Sequence, residues 1–254
     1  MELRFFSRLA VVALAMPALT AAAAADGTRP AGVIELFTSQ GCSSCPPADA
    51  LFEKFATGGD YVALAYHVDY WDYLGWRDTL SSPDSTDRQY AYMRSFGTRS
   101  VYTPQAVING RIHVNGAKRD DILDAFDELN KAEQGLSVDV SVKLTGESLV
   151  IETGSAANQS SAKAHVVLVY FDAPQAIAVP RGENKGRTVT YVNAVSDIQS
   201  AGMWHGKAAR YELPATKIAT KGGFAVLLQA VGKDGMPGPV LGAAIYRKPD
   251  GNRI

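Results

Sequence analysis

Cysteine is almost absent from this 254-residue sequence: there are two, and both fall in one tetrapeptide, Cys42-Ser43-Ser44-Cys45. With no third sulfur to compete, the pair can close only on itself, and a scaffold of disulfides spread over long loops is excluded. Histidine is scarce too, with four in the chain and neither a His-x-x-x-His nor a second Cys-x-x-Cys. That argues against a structural zinc site with four protein ligands, and no metal is expected. Charge of one sign is not in excess either, the formal net charge being −1. Nothing in that balance suggests nucleic-acid binding or strong attraction to a membrane surface. Past the N-terminus no apolar run approaches the ~18 residues of a membrane span, so no stable insertion of the mature chain is expected. There is no internal repeat, and the alanine run near residue 23 is the one low-complexity tract.

What is present begins with residues 1–25, which read as a secretory signal peptide. Arg4 and Arg8 form a charged start, Leu9 to Leu19 an apolar core, and Ala21 to Ala25 a small-residue cleavage region. The expected localisation is therefore periplasmic or secreted, where an oxidising environment lets a disulfide persist. A Cys42–Cys45 bridge would close a loop with only two intervening residues and add little stability. A redox switch explains it better than a staple.

The rest of the chain divides by pattern. From Val33 to Lys131 strand-like and helix-like pieces alternate. Val33–Phe37 is a β-type run, and Pro46–Ala56 sets Ala48, Leu51, Phe52 and Phe55 at helical spacing. Tyr61–Tyr66 reads as a second buried strand, and Ser82-Pro83-Asp84 opens a helix that stops at Gly97. Asn109-Gly110 between Gln105–Ile108 and Arg111–Val114 signals a hairpin, and Lys118–Lys131 is an amphipathic helix. The order β-α-β-α-β-β-α, with Cys-x-x-Cys at the first strand–helix junction, predicts a thioredoxin-like domain over 26–134. Residues 135–254 change character. Leu136–Leu144, Ser148–Thr153, Ala164–Phe171, Arg187–Val192, Tyr211–Leu213, Phe224–Val231 and Val240–Tyr246 read as short strands between Gly, Pro and Asn turns. They predict an antiparallel β-sandwich domain without a convincing helix, and an α/β protein as a whole.

Several motifs carry a resemblance. Glu35 to Asp49, His67-Val68-Asp69-Tyr70-Trp71-Asp72, Leu74-Gly75-Trp76-Arg77-Asp78, Val101-Tyr102-Thr103-Pro104-Gln105, Arg181-Gly182-Glu183-Asn184 and Gly186-Arg187 together span nearly the whole mature chain. In these segments the sequence resembles an exported thioredoxin-like family of bacterial proteins without an assigned function. The resemblance implies the fold more than a substrate.

Position assigns the chemistry. At a helix start Cys42 is the expected nucleophile, since such thiols have a pKa of roughly 3.5–7.5 against about 8.5 for a free cysteine. Cys45, one turn further in, would resolve a mixed disulfide. Thr103-Pro104 precedes the hairpin where thioredoxin-like proteins hold a cis-proline facing the cysteines. Glu35 is an acid within an apolar strand. In thioredoxins a buried carboxylate on this strand handles the proton of the second cysteine, although here it precedes Cys42 by seven residues rather than six. The alternative for Glu35 is a solvent or domain-interface position. His67, Asp69, Trp71, Trp76 and Arg77, with Asp72 and Asp78, follow the second strand and should line the rim of the site, either gripping an extended polypeptide or anchoring an irregular insertion. Arg181, Glu183, Asn184 and Arg187, with Trp204-His205, form a polar loop that could close over the site. A solvated hairpin is the default for it.

Three functions fit these residues. The first is a thiol–disulfide oxidoreductase of the cell envelope that needs no cofactor and acts on protein thiols or disulfides. The second is copper handling by the two thiolates with His67 or His113, a soft donor set suited to Cu(I). The third is a non-enzymatic interaction module in which the dithiol is a redox sensor.

Overall fold

The computed structural model describes residues 23–24, 29–157 and 163–249. The expected signal peptide therefore lies outside the described residues, apart from Ala23–Ala24. No described helix is long and apolar enough to cross a membrane.

In chain order the elements are β1 (Ala23–Ala24), β2 (Gly32–Thr38), α1 (Pro46–Gly58), β3 (Tyr61–His67), α2 (Pro83–Phe96), β4 (Gln105–Ile108), β5 (Ile112–Asn115) and α3 (Arg119–Lys131). Then follow β6 (Val140–Thr145), β7 (Ser148–Thr153), β8 (Ala164–Phe171), β9 (Gln175–Ala178), β10 (Thr188–Tyr191), β11 (Val195–Trp204), β12 (Ala209–Pro214), β13 (Gly223–Val231) and β14 (Pro237–Arg247). The protein is a mixed α/β chain, mostly strand, with several sheets. Among the described residues the second half has no α-helix, only two short 3₁₀ turns.

Local chemistry sets the boundaries in the first half. Ser82 caps α2 by accepting from the Ser85 amide at 3.2 Å, Pro83 occupies the first turn where no N–H is needed, and Gly97 takes the left-handed stop at φ 67°. β2 pairs in parallel with β3 and antiparallel with β4, which continues to β5. Alternation along β2 and β3 then divides the sheet. Ile34, Leu36, Ala63 and Ala65 pack under α1 and α3, with Ala48, Phe52 and Phe126. Val33, Phe37, Val62, Leu64 and Tyr66 face the other way, toward Tyr92 of α2 and the second half of the chain.

That second half contributes the sheet β11-β8-β13-β14, the hairpin β9-β10 and the strands β6-β7-β12, to which β1 adds a fourth at the β6 edge. The β8/β13 sheet is buried on both faces. Val166, Leu168, Tyr170, Phe224, Val226 and Leu228 meet Val142, Leu149 and Ile151 of the neighbouring sheet. Val169, Phe171, Ala225 and Leu227 instead complete the core that begins at Val33 and Phe37. Two strands escaped the sequence pattern. β11 carries Ser, Asp, Gln and Gly, lies half exposed at a sheet edge and has two register irregularities, so it shows no clean alternation. β9 is only four residues long.

The joint between the halves is hydrogen-bonded as well as apolar. The outer edge of β3 is met by Asn193, whose carbonyl accepts from the Ala65 amide at 3.1 Å and whose side chain donates to the Ala63 carbonyl at 2.9 Å. Asn109-Gly110 makes the expected tight turn, both residues having positive φ (48° and 64°). Asn109 accepts from the Val33 amide at 2.8 Å through its side chain and from the Val240 amide at 2.8 Å through its carbonyl. A methyl group on Gly110 would come within 2.6 Å of the Gly238 carbonyl. Gly110→Ala is therefore expected to cost about 1–3 kcal/mol, from the left-handed conformation and the clash together. A denaturant midpoint equal to wild type would show that the turn and β14 can part without cost.

Candidate functional site

Cys42 and Cys45 form a disulfide at the start of α1. Cys45 occupies the helix N-cap, and Pro46 and Pro47 follow it. These prolines fix the first turn but remove two N–H groups from the helix end. Ser43 and Ser44 are exposed, whereas Cys42 is only 1 % exposed and Cys45 is fully buried. The Ser44 hydroxyl lies 3.4 Å from Cys42 Sγ and 3.4 Å from the carbonyl of Thr103, to which it donates. The Thr103–Pro104 peptide is cis, and Pro104 is buried.

The residues after β3 brace the loop that carries Cys42. Trp71 Nε1 donates to Thr103 Oγ1 at 2.8 Å, and a Cβ on Gly41 would meet Trp71 Cβ at 3.0 Å and its carbonyl at 3.2 Å, so glycine lets the Trp71 backbone approach there. Trp76 Nε1 donates to Gln40 Oε1 at 2.8 Å. Asp78 accepts from the Gln40 amide and from His67 Nδ1, each at 2.8 Å, and from the Leu80 amide at 2.8 Å. Burial alone would raise the Asp78 carboxyl, but His67 and these amides outweigh it and hold the carboxyl below its ordinary range. Asp69 accepts from Thr86 Oγ1 at 2.7 Å and ties the loop to α2. Arg77 stands apart, its side chain 88 % exposed and 3.9 Å from Asp72. Of the expected rim, Trp71, Trp76 and His67 thus support the Cys42 loop, while Arg77 projects from it. His113, on β5, has Nδ1 3.1 Å from the Tyr102 hydroxyl. Among the described residues no three His, Cys, Asp or Glu side chains converge as a metal set.

Glu35 lies on the face of β2 away from α1. Arg88 Nε donates to its carboxylate at 2.6 Å, and the Tyr92 hydroxyl donates to its other oxygen. The Arg88 guanidinium also donates to Gln229 Oε1 of β13 at 3.1 Å. Glu35 is thereby part of the joint between the halves, the interface alternative that alternation allowed. The buried carboxyl on the cysteine side of the sheet is Asp49, which the sequence reading missed. It lies one helical turn after Cys45, accepts from Thr38 Oγ1 at 2.7 Å through Oδ1, and leaves Oδ2 buried without a partner. Burial pushes its pKa up to about 7, against the lowering effects of His67 and Thr38. The signal was available: Asp49 falls four residues after Cys45, on the same side of the helix as Ala48 and Phe52.

The polar loop between β9 and β10 does close on the site. Asn184 Nδ2 donates to the carbonyls of Gln40 at 3.0 Å and Cys42 at 2.8 Å, and Glu183 accepts from the Ser43 amide at 3.2 Å. Trp204 does not join it; its ring is buried between the two large sheets and donates to the Gly154 carbonyl at 3.1 Å.

Fold and site together define a class: a mixed α/β protein with one covered disulfide where a strand gives way to a helix. Residues 33–229 match the family described as protein of unknown function (DUF1223), and the chain belongs to that family. It is also similar to protein AGR_C_4864 from Agrobacterium tumefaciens, known from an X-ray crystal structure, with 44 % identity and a TM-score of 0.79. The match covers 89 % of this chain and 98 % of that one. No functionally curated protein matches the chain.

Proposed function

We propose that this protein is an exported thiol–disulfide oxidoreductase built on a thioredoxin-like first half and a sandwich-like second half, acting on protein thiols or disulfides of the envelope. The observation that carries this reading is the Cys42–Cys45 bridge at the entry to α1, with the exposed Ser43-Ser44 pair beside the Thr103 backbone. The run β2-α1-β3-α2-β4-β5-α3 and the pairing order β3-β2-β4-β5 support the thioredoxin-like assignment.

In the oxidised form a partner thiolate attacks Cys42 Sγ, the Cys42–Cys45 bond breaks, and Cys45 leaves as a thiolate. Asp49, which retains a proton up to about pH 7 and follows Cys45 by one helical turn, would supply a proton to that thiolate. A second partner thiolate then attacks the partner sulfur of the mixed disulfide and releases Cys42. Two electrons and two protons pass from the partner dithiol to the protein pair, and the reverse sequence reduces a partner disulfide. An extended partner segment would lie along Thr103 and Trp71.

Replacing Cys45 with alanine removes the resolving sulfur. Cys45→Ala chains are expected to accumulate as mixed disulfides through Cys42 with a defined set of envelope proteins, and Cys42→Ser chains to form none. A well-expressed Cys45→Ala protein recovered entirely free of partners would move the assignment elsewhere. The low exposure of Cys42 favours one second reading, a redox-responsive interaction module whose bridge turns over no substrate.

A further inference from the structure

Ser43 and Ser44 face solvent while both cysteines are buried, and a loop from the other half of the chain is hydrogen-bonded to the backbone on either side of Cys42. The β9–β10 connection is a preformed body. Its Gly186 amide donates to the Val179 carbonyl at 2.8 Å, and its Arg187 amide to the Asn184 carbonyl at 3.1 Å. It rests on the Trp76 loop at Gly182, where a Cβ would come within 3.1 Å of Trp76 Cβ. Three side-chain hydrogen bonds hold it to the site: the two from Asn184 to the Gln40 and Cys42 carbonyls, and the one that Glu183 accepts from Ser43. Lys185, Gly186 and Arg187 on its outer side are exposed, as is Glu183 itself, so little apolar burial opposes its lifting.

Attack on a disulfide requires the incoming sulfur to approach along the S–S axis, and a cysteine only 1 % exposed leaves little room for that approach. We propose that residues 180–187 are a gate over the disulfide, latched by Asn184 and Glu183, and that its opening controls which thiols reach Cys42. The closed latch also has a chemical effect. Glu183 occupies the amide of Ser43, the residue that follows Cys42, while Pro46 and Pro47 leave the start of α1 two N–H groups short. When the gate lifts, that amide becomes available to a Cys42 thiolate. A partner that draws the strap away would expose the sulfur and improve it as a leaving group in the same movement. The gate bears on the proposed exchange chemistry, but its test needs no protein substrate.

The test follows reduction of the full-length oxidised protein by dithiothreitol, in which one thiolate opens the bridge at Cys42 and the second closes the reagent into a cyclic disulfide. For wild type, the rate is expected to level off as dithiothreitol is raised, because opening becomes limiting. Asn184→Ala, which loses two hydrogen bonds, should raise that plateau by about tenfold, and Glu183→Ala by about threefold. A wild-type rate strictly proportional to dithiothreitol, together with unchanged rates in both variants, would show that the strap gates nothing. Glu183 is exposed, so its variant remains decisive if the buried Asn184 substitution prevents folding. Faster reduction in the variants with no partners trapped by Cys45→Ala would keep the gate and discard the oxidoreductase reading. Trapped partners with ungated kinetics would do the reverse.

Discussion

Arg88→Ala is expected to destabilise the protein by about 3–5 kcal/mol, the usual cost of leaving a buried charge without its partner. Glu35 is completely buried, and Arg88 supplies the positive charge and its 2.6 Å hydrogen bond. The same guanidinium donates to Tyr92 at 3.2 Å and to Gln229 at 3.1 Å, and lies over the Tyr66 and Tyr92 rings at 5.3 and 5.1 Å. Removal therefore strips partners from β2, α2 and β13 together. Adding Glu35→Leu to Arg88→Met should recover most of the loss, because two apolar side chains carry no desolvation penalty. Denaturant unfolding of the single and double variants checks this. A single variant within 1 kcal/mol of wild type, on the order of an exposed ion pair, would mean that water reaches the joint.

Asp49→Asn should alter the pH dependence of stability in a defined window. The folded carboxyl keeps its proton up to about pH 7, whereas the unfolded one loses it near the ordinary value of 3.8. Between these values the folded chain binds more protons, so this group makes stability fall as pH rises, by up to about 1.4 kcal/mol per pH unit. Below the window the cost is absent, and above it the cost is fully present. Burial is the main cause, with His67, Thr38 and Asp78 facing the group from β3, β2 and the loop after β3. Asparagine can still accept from Thr38 but does not ionise. The variant is therefore expected to match wild type near pH 4 and to exceed it in stability above pH 7. Melting curves of the oxidised proteins across that range would decide, and parallel profiles would place the Asp49 proton elsewhere. The Asp49 proton also bears on the proposed exchange, in which Cys45 would leave faster with a neutral carboxyl beside it.

The first half of the molecule was readable because its signals are local. Ser82-Pro83, Gly97 and Asn109-Gly110 each specify a backbone state on their own, and the runs at Val33 and Tyr61 are apolar on both faces, as a sheet covered twice must be. In the second half the strands with an apolar run or a clean alternation stood out, β7, β8 and β13 among them, while β11, with Asp197, Gln199 and Gly202, did not. At the site, the sulfurs and Thr103-Pro104 announce themselves by residue type. What covers them does not. Asn184 is 142 residues from Cys42, and an ordinary polar loop has the same composition as a latch. Glu35 shows the limit from the other direction: its oddity within a strand was plain, but which neighbour it met depended on α2 and β13.

The sheet buried on both faces has a consequence for synthesis. β2, β3 and α2 are complete once α3 has been made, yet the strands that cover Val33, Phe37, Val62 and Leu64 include β13 and β14, near the end of the chain. At ordinary translation rates that gap lasts on the order of ten seconds. Throughout it the nascent chain presents an oily sheet to its surroundings, so a carrier that shields the early half until the last strands emerge should raise the yield of native protein.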